Sequence, residues 1–216
     1  MVICKSHKFI FLRLPKNAST SLATWFVKNC CTAEDSFTQI NDSGIKNTNI
    51  NSNVIKKYSK HYHFIHMTLQ ELLDEKLITQ EEAFSFHIIS VFRNPYHRQL
   101  SLFFFLNGDK NPDRFRMMFK NGCHETDPSN KITQSDYLKI NGIMHTNCDI
   151  WKYDNIDLHL QEFINNYKID ERFKLETYKS NKRPNDIKEL ENLYYDDATR
   201  EAVYRYYRED FELLGL

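Results

Sequence analysis

Lys16 stands between Pro15 and a run of small residues, Asn17-Ala18-Ser19-Thr20-Ser21. A mobile cation beside hydroxyls and closely spaced backbone N–H groups is a set of donors suited to phosphate or sulfate. A nucleotide-hydrolase phosphate loop would read G-x-x-x-x-G-K-[ST]. Here there is no glycine, and the lysine precedes the small residues, so the loop is of another type. Its bland alternative is a turn with a solvated lysine. A second basic group is Arg93-Asn94-Pro95, followed by Arg98 and Ser101, which lie three apart and share a face if helical. The third group is His61, His63 and His66. Extended backbone puts His61 and His63 on one face and His66 on the other, and no nearby cysteine or carboxylate completes a ligand set, so no metal is expected there.

The elements that must position these groups follow from pattern. Phe9–Leu14 is an apolar, aromatic run of strand length, stopped by Pro15 because proline has no N–H for the ladder. Leu22, Trp25, Phe26 and Cys30 then recur at helical spacing. The first-turn N–H groups of that helix lack intrahelical partners and sit at the positive end of its dipole, next to Lys16. His87–Arg93 is a second buried strand by its β-branched and aromatic content, and Asn94 with Pro95 starts a helix after it. Thr68-x-x-Glu71 and Thr79-x-x-Glu82 are capping boxes for short helices. Cys148–Asn155 supplies another strand, Ile156 to Tyr167 an apolar helical stripe, and about Thr199–Glu209 the last helix. Thr32–Lys60 and Gly108–Ile132 are polar and read as irregular surface segments, the second carrying a basic and aromatic stretch, Arg114–Lys120, suited to an acidic glycan or to ordinary helix packing.

Arg13-Leu14-Pro15-Lys16-Asn17-Ala18-Ser19-Thr20-Ser21 resembles the first cofactor motif of sulfotransferases that use 3′-phosphoadenosine 5′-phosphosulfate (PAPS), and among them the uronyl 2-O-sulfotransferases of heparan sulfate. Arg93-Asn94-Pro95 with Arg98 and Ser101 is similar to the second motif, Gln134-Ser-Asp-Tyr137-Leu to a following block, and Asp210-Phe-Glu-Leu-Leu-Gly to the family's terminus. The resemblance runs from about residue 8 to the end and is weak over 32–60 and 108–132. It implies that Lys16, Asn17, Ala18, Ser19, Thr20 and Ser21 hold the 5′ end of the donor, that Arg93 and Ser101 hold its 3′-phosphate, and that Lys182 and Arg183 lie in a stretch near the cofactor. It implies His66 as catalytic base, with Lys16 stabilising the charge that develops in transfer. The product would be adenosine 3′,5′-bisphosphate (PAP), the acceptor a carbohydrate hydroxyl, and no metal would be needed.

Apolar content of 41%, charged content of 27% and zero formal net charge describe an ordinary globular chain, with nothing that marks a nucleic-acid or membrane binder. Five cysteines without regular spacing favour reduced thiols, and adjacent Cys30 and Cys31 read as packing at the end of the first helix. No apolar run approaches the ~20 residues that span a bilayer, and Met1–Lys8 carries charge where a signal peptide would be apolar. The expected location is cytoplasmic, or the Golgi lumen if a longer chain was trimmed. The expected fold is α/β: a single domain, 1–216, with a central parallel sheet flanked by helices, the nucleotide-binding fold of sulfotransferases and their P-loop-like relatives, with its ligand beyond the carboxyl ends of the strands. Two other functions stay open. A nucleotide-dependent kinase would need a magnesium-binding carboxylate at a strand end, and a non-catalytic glycan binder would need no intact set of Lys16, His66, Arg93 and Ser101.

Overall fold

A computed structural model describes residues 1–41, 44–58, 63–107, 111–120, 132–176 and 187–216. In chain order the first half runs β1 (Val2–Cys4), β2 (Phe9–Leu12), α1 (Ser19–Asn29), β3 (Ser36–Asn41), β4 (Gly44–Thr48), α2 (Ser52–Tyr58), α3 (Leu69–Asp74), α4 (Gln80–Ser85) and β5 (His87–Phe92). Then come α5 (Pro95–Asn107), α6 (Pro112–Lys120), the small hairpin β6 (Lys139–Ile140) and β7 (Ile143–Met144), β8 (Cys148–Lys152), α7 (Ile156–Tyr167), α8 (Ile187–Tyr194), α9 (Asp197–Tyr206) and α10 (Arg208–Leu214). They divide into two compact units, one of Met1–Phe92 with Asp136–Tyr178 and one of Arg93–Ser135 with Lys179–Leu216.

The first unit holds the sheet, in the order β4-β3-β1-β2-β5-β8. Its expected parallel core is present: β2 pairs β5 and β5 pairs β8 in parallel, with Phe9 opposite His87 and Ile88 opposite Cys148. The sheet as a whole is mixed. β1 turns into β2 through Lys5–Lys8, too short a connection for a parallel crossover, and so pairs antiparallel, as do β1 with β3 and β3 with β4. Met1–Lys8 therefore contains a strand, and Thr32–Lys60 contains two strands and a helix, where sequence pattern gave a lead-in and an irregular excursion. The polar composition of β3 and β4 hid them, because the outer strands of a sheet need not be continuously apolar.

Side-chain alternation sorts the core. Phe9, Phe11, Ile89, Val91 and Trp151 share one cluster with Leu22, Trp25 and Phe26 of α1 and Leu160 and Phe163 of α7. Phe26 is its hub, with ring centroids 5.0 Å from Phe9, 5.0 Å from Phe11 and 5.1 Å from Phe163. All four residues of β2 are buried, as befits a strand paired on both sides. Both capping boxes form, Thr68 with Glu71 and Thr79 with Glu82.

The second unit is helical. Leu100 and Phe103 of α5, Phe115 and Phe119 of α6, Tyr194 and Tyr207 belong to its core. The segment 108–132 thus contains a helix, α6, whose aromatic side packs inward and whose Arg116 donates to the carbonyls of Leu193 and Tyr194. The expected last helix is two: Asp196 caps α9 through the Thr199 N–H, and α10 starts afresh after Tyr207, whose backbone (φ −105°, ψ 24°) leaves the helical region. No described helix is long and apolar enough to cross a membrane.

Candidate active site

The chain leaves β2 through Arg13-Leu14-Pro15 and enters α1 at Ser19. Lys16 (φ 68°) and Ala18 (φ 54°) adopt the left-handed conformation although neither is glycine. Each costs about 1–2 kcal/mol relative to an ordinary backbone, and a turn with such residues can curl successive N–H groups around an anion. Ala18 is the N-cap of α1 and supplies no side-chain cap, and the first turn has no acidic residue. The helix N-terminus therefore keeps its positive end for another partner. Ser19 and Ser21 are buried in this turn, and Lys16 is half-buried.

Two buried side chains hold the loop. Asn17 donates from Nδ2 to the Val91 carbonyl at 2.7 Å, tying the loop to the end of β5. Arg13 donates to the Thr38 carbonyl of β3 at 2.9 Å and to Thr20 Oγ1 at 3.2 Å, which takes one of that hydroxyl's two acceptor positions. Burial makes the charged form of Arg13 costly and pushes its pKa down to about 10.

His66 ends a single 3₁₀ turn, His63–His66, just before the cap Thr68. Its Nδ1 donates to the Arg13 carbonyl at 2.6 Å. A carbonyl can only accept, so the proton of the neutral ring sits on Nδ1 and the lone pair on Nε2. Buried Ile65, Met67 and Leu69 on either side fix the segment in the core. The histidine is thereby fastened to the strand end that leads into the lysine loop.

In the second unit, Arg93 is buried and its backbone is gripped by one amide. The Arg93 N–H donates to Gln134 Oε1 at 2.9 Å, and Gln134 Nε2 donates back to the Arg93 carbonyl at 2.8 Å. Gln134 is held in turn by Asp210, which accepts from the backbone N–H of Gln134 (2.9 Å) and of Ser135 (2.8 Å). Burial raises the Asp210 carboxyl above its usual range, outweighing those hydrogen bonds and the charge of Arg98. Asn94 Oδ1 accepts from the Tyr96 N–H at 2.9 Å and starts α5, on which Arg98 and Ser101 are both buried.

The model of the sulfotransferase family matches residues 1–216. The chain belongs to that family. No curated protein and no solved structure matches it.

The first unit of this sulfotransferase brings Lys16, Asn17, Ala18, Ser19, Thr20, Ser21 and His66 to one strand end, and the second carries Arg93 and Ser101. Lys182, Arg183 and His61 lie outside the described residues, as does the side chain of His63. Sequence reasoning gave no role to Arg13, to the side chain of Asn17, to Gln134 or to Asp210. Gln134 and Asp210 were marked by resemblance, but only their contacts show what they do. Nothing local marks Arg13, because its partners are 7 and 25 residues away.

Proposed function

We propose that this sulfotransferase moves the sulfonate of PAPS onto a hydroxyl of a carbohydrate, with His66 as general base and PAP as product. The observation that carries this reading is the hydrogen bond from His66 Nδ1 to the Arg13 carbonyl, which leaves Nε2 basic at the strand end that feeds Lys16. Each unit carries residues whose chemistry suits one end of the donor. The uncapped first turn of α1, with Lys16 and the hydroxyls of Ser19, Thr20 and Ser21, suits the 5′-phosphosulfate, and Arg93 with Ser101 suits the 3′-phosphate.

In this mechanism His66 Nε2 takes the proton of the acceptor hydroxyl as its oxygen bonds to sulfur. The bond between sulfur and the 5′-phosphate oxygen breaks in line. Lys16 and the N–H groups of Asn17–Ser21 stabilise the negative charge that collects on the leaving oxygen and on the sulfonyl oxygens. Arg93 and Ser101 fix the donor's register, so that transfer is a matter of positioning.

The test is a radiolabelled sulfate-transfer assay on a panel of glycans, together with thermal shifts. PAP should raise the melting temperature well above the shift given by adenosine 5′-monophosphate, because a ligand stabilises the state that binds it. Equal shifts would remove the 3′-phosphate site from the reading. Sulfate transfer to non-carbohydrate hydroxyls alone would replace the acceptor class.

A further inference from the structure

At the other end of β2 from Lys16, three chain segments bring metal-binding atoms together. Cys4 is the last residue of β1, Cys31 follows the C-terminus of α1, and Asp35 precedes β3. The sulfurs of Cys4 and Cys31 and a carboxylate oxygen of Asp35 lie within 4.8 Å of one another. His7 Nδ1 is 3.5 Å from Cys4 Sγ, beside this group but not within 4.8 Å of all three of its atoms. Ligands 2.0–2.3 Å from a tetrahedral zinc are about 3.3–3.8 Å apart, so small side-chain rotations would bring these three atoms to ligand spacing, and His7 would turn further to join them.

We propose that Cys4, Cys31 and Asp35, with His7 turning in as the fourth ligand, form a structural zinc site that clamps β1, the end of α1 and the start of β3. Two sulfurs and an oxygen in a compact group, with a nitrogen beside it, suit zinc over magnesium or calcium, which take oxygen ligands in larger sets. The carboxylate is held on both oxygens: Lys5 and Ser6 N–H donate to Oδ1 at 2.6 and 3.3 Å, and Thr32 N–H, Thr32 Oγ1 and Ser6 Oγ donate to Oδ2 at 2.7, 3.1 and 3.0 Å. An ion would therefore take the place of a hydroxyl donor and of the Cys4 thiol proton on Oδ2. Cys4 and Asp35 are buried, while Cys31 is half-buried and His7 is on the outer turn, which gives an ion a way in. Binding is balanced by release of one proton from each thiol as the two thiolates bond to the ion, with no redox change. The spacing in sequence, Cys4 then Cys31 then Asp35, matches no zinc motif, because three separate segments supply the ligands.

Cobalt(II) titration of the reduced, metal-stripped full chain tests this. A stoichiometric complex with a thiolate-to-cobalt charge-transfer band and the strong visible bands of a tetrahedral site is expected. Zinc should displace the cobalt and raise the melting temperature. Cys31→Ser, a near-isosteric change at a half-buried thiol, should abolish the charge-transfer band or leave it at half strength, and His7→Ala should weaken cobalt binding. Cys148→Ser should leave the spectrum unchanged. Absence of the band in the reduced wild type, or a full band in Cys31→Ser, would overturn the site.

Discussion

The two basic turns of this sulfotransferase follow parallel-paired strands of the same sheet, yet they are built by different means. The turn after β2 relies on backbone: two left-handed non-glycine residues lead into a helix whose N-cap, Ala18, offers no side-chain cap. The turn after β5 relies on side chains: Arg93 is locked by Gln134, and Gln134 by the buried Asp210. In each case one amide does the fastening, Asn17 to the Val91 carbonyl and Gln134 to both backbone groups of Arg93. The lesson is that a turn can be fixed in advance either by strained backbone or by a buried polar relay, which is what the proposed anion sites require.

The sharpest way to break the comparison is at the first turn's chemistry. His66→Ala should lower turnover by roughly 10²–10⁴-fold while leaving PAP affinity nearly unchanged. Lys16→Ala should cost about 10²–10³-fold and also weaken PAP, because in the proposed mechanism the lysine serves both charge development and binding. Single-turnover transfer rates beside PAP titrations separate the two. Wild-type transfer by His66→Ala would move the base elsewhere.

The cores should differ less than the sites. Phe26→Ala, at the hub of the sheet cluster, should cost about 3–5 kcal/mol in urea unfolding, as expected for a buried aromatic deleted among rings. Smaller effects come from the fastening amides. Asn17→Ala and Gln134→Ala should each cost about 1–3 kcal/mol, since each leaves a buried carbonyl without that donor. Arg93→Lys should bind PAP more weakly than wild type, because a planar two-pronged donor is lost. If Gln134→Ala leaves PAP binding at the wild-type level, the relay serves stability alone.

The smallest effect is in pH dependence, and here the two units should have opposite signs. Burial would raise the Glu82 carboxyl, but the hydrogen bonds from Lys5 and Thr79 outweigh it and hold the group below its usual range. Its contribution is present above the unfolded value of about 4.3 and fades as pH falls through the folded one. Asp210 is shifted upward, so its contribution is full below the unfolded value of about 3.9 and fades as pH rises through the folded one. From pH 3 to pH 6 the wild type's stability advantage should grow over Glu82→Gln and shrink over Asp210→Asn. Urea midpoints at a series of pH values give both slopes.

Local pattern was enough wherever a feature depends on neighbours in sequence. The β2–loop–α1 unit, the strand at His87–Phe92, both capping boxes and the start of α5 at Pro95 were all legible, because periodicity, proline and cap residues act over a few positions. Tertiary structure alone decided the strand order and with it the antiparallel half of the sheet, since the pairing of β1 and β3 depends on partners elsewhere in the chain. It also decided the roles of Arg13, Asn17 and Gln134, whose hydrogen bonds span 25, 74 and 41 residues. The tautomer of His66 belongs to the same class. The sequence placed a histidine before a capped helix, but only folding brought it to a carbonyl 53 residues earlier, and that contact decides which nitrogen can take a proton.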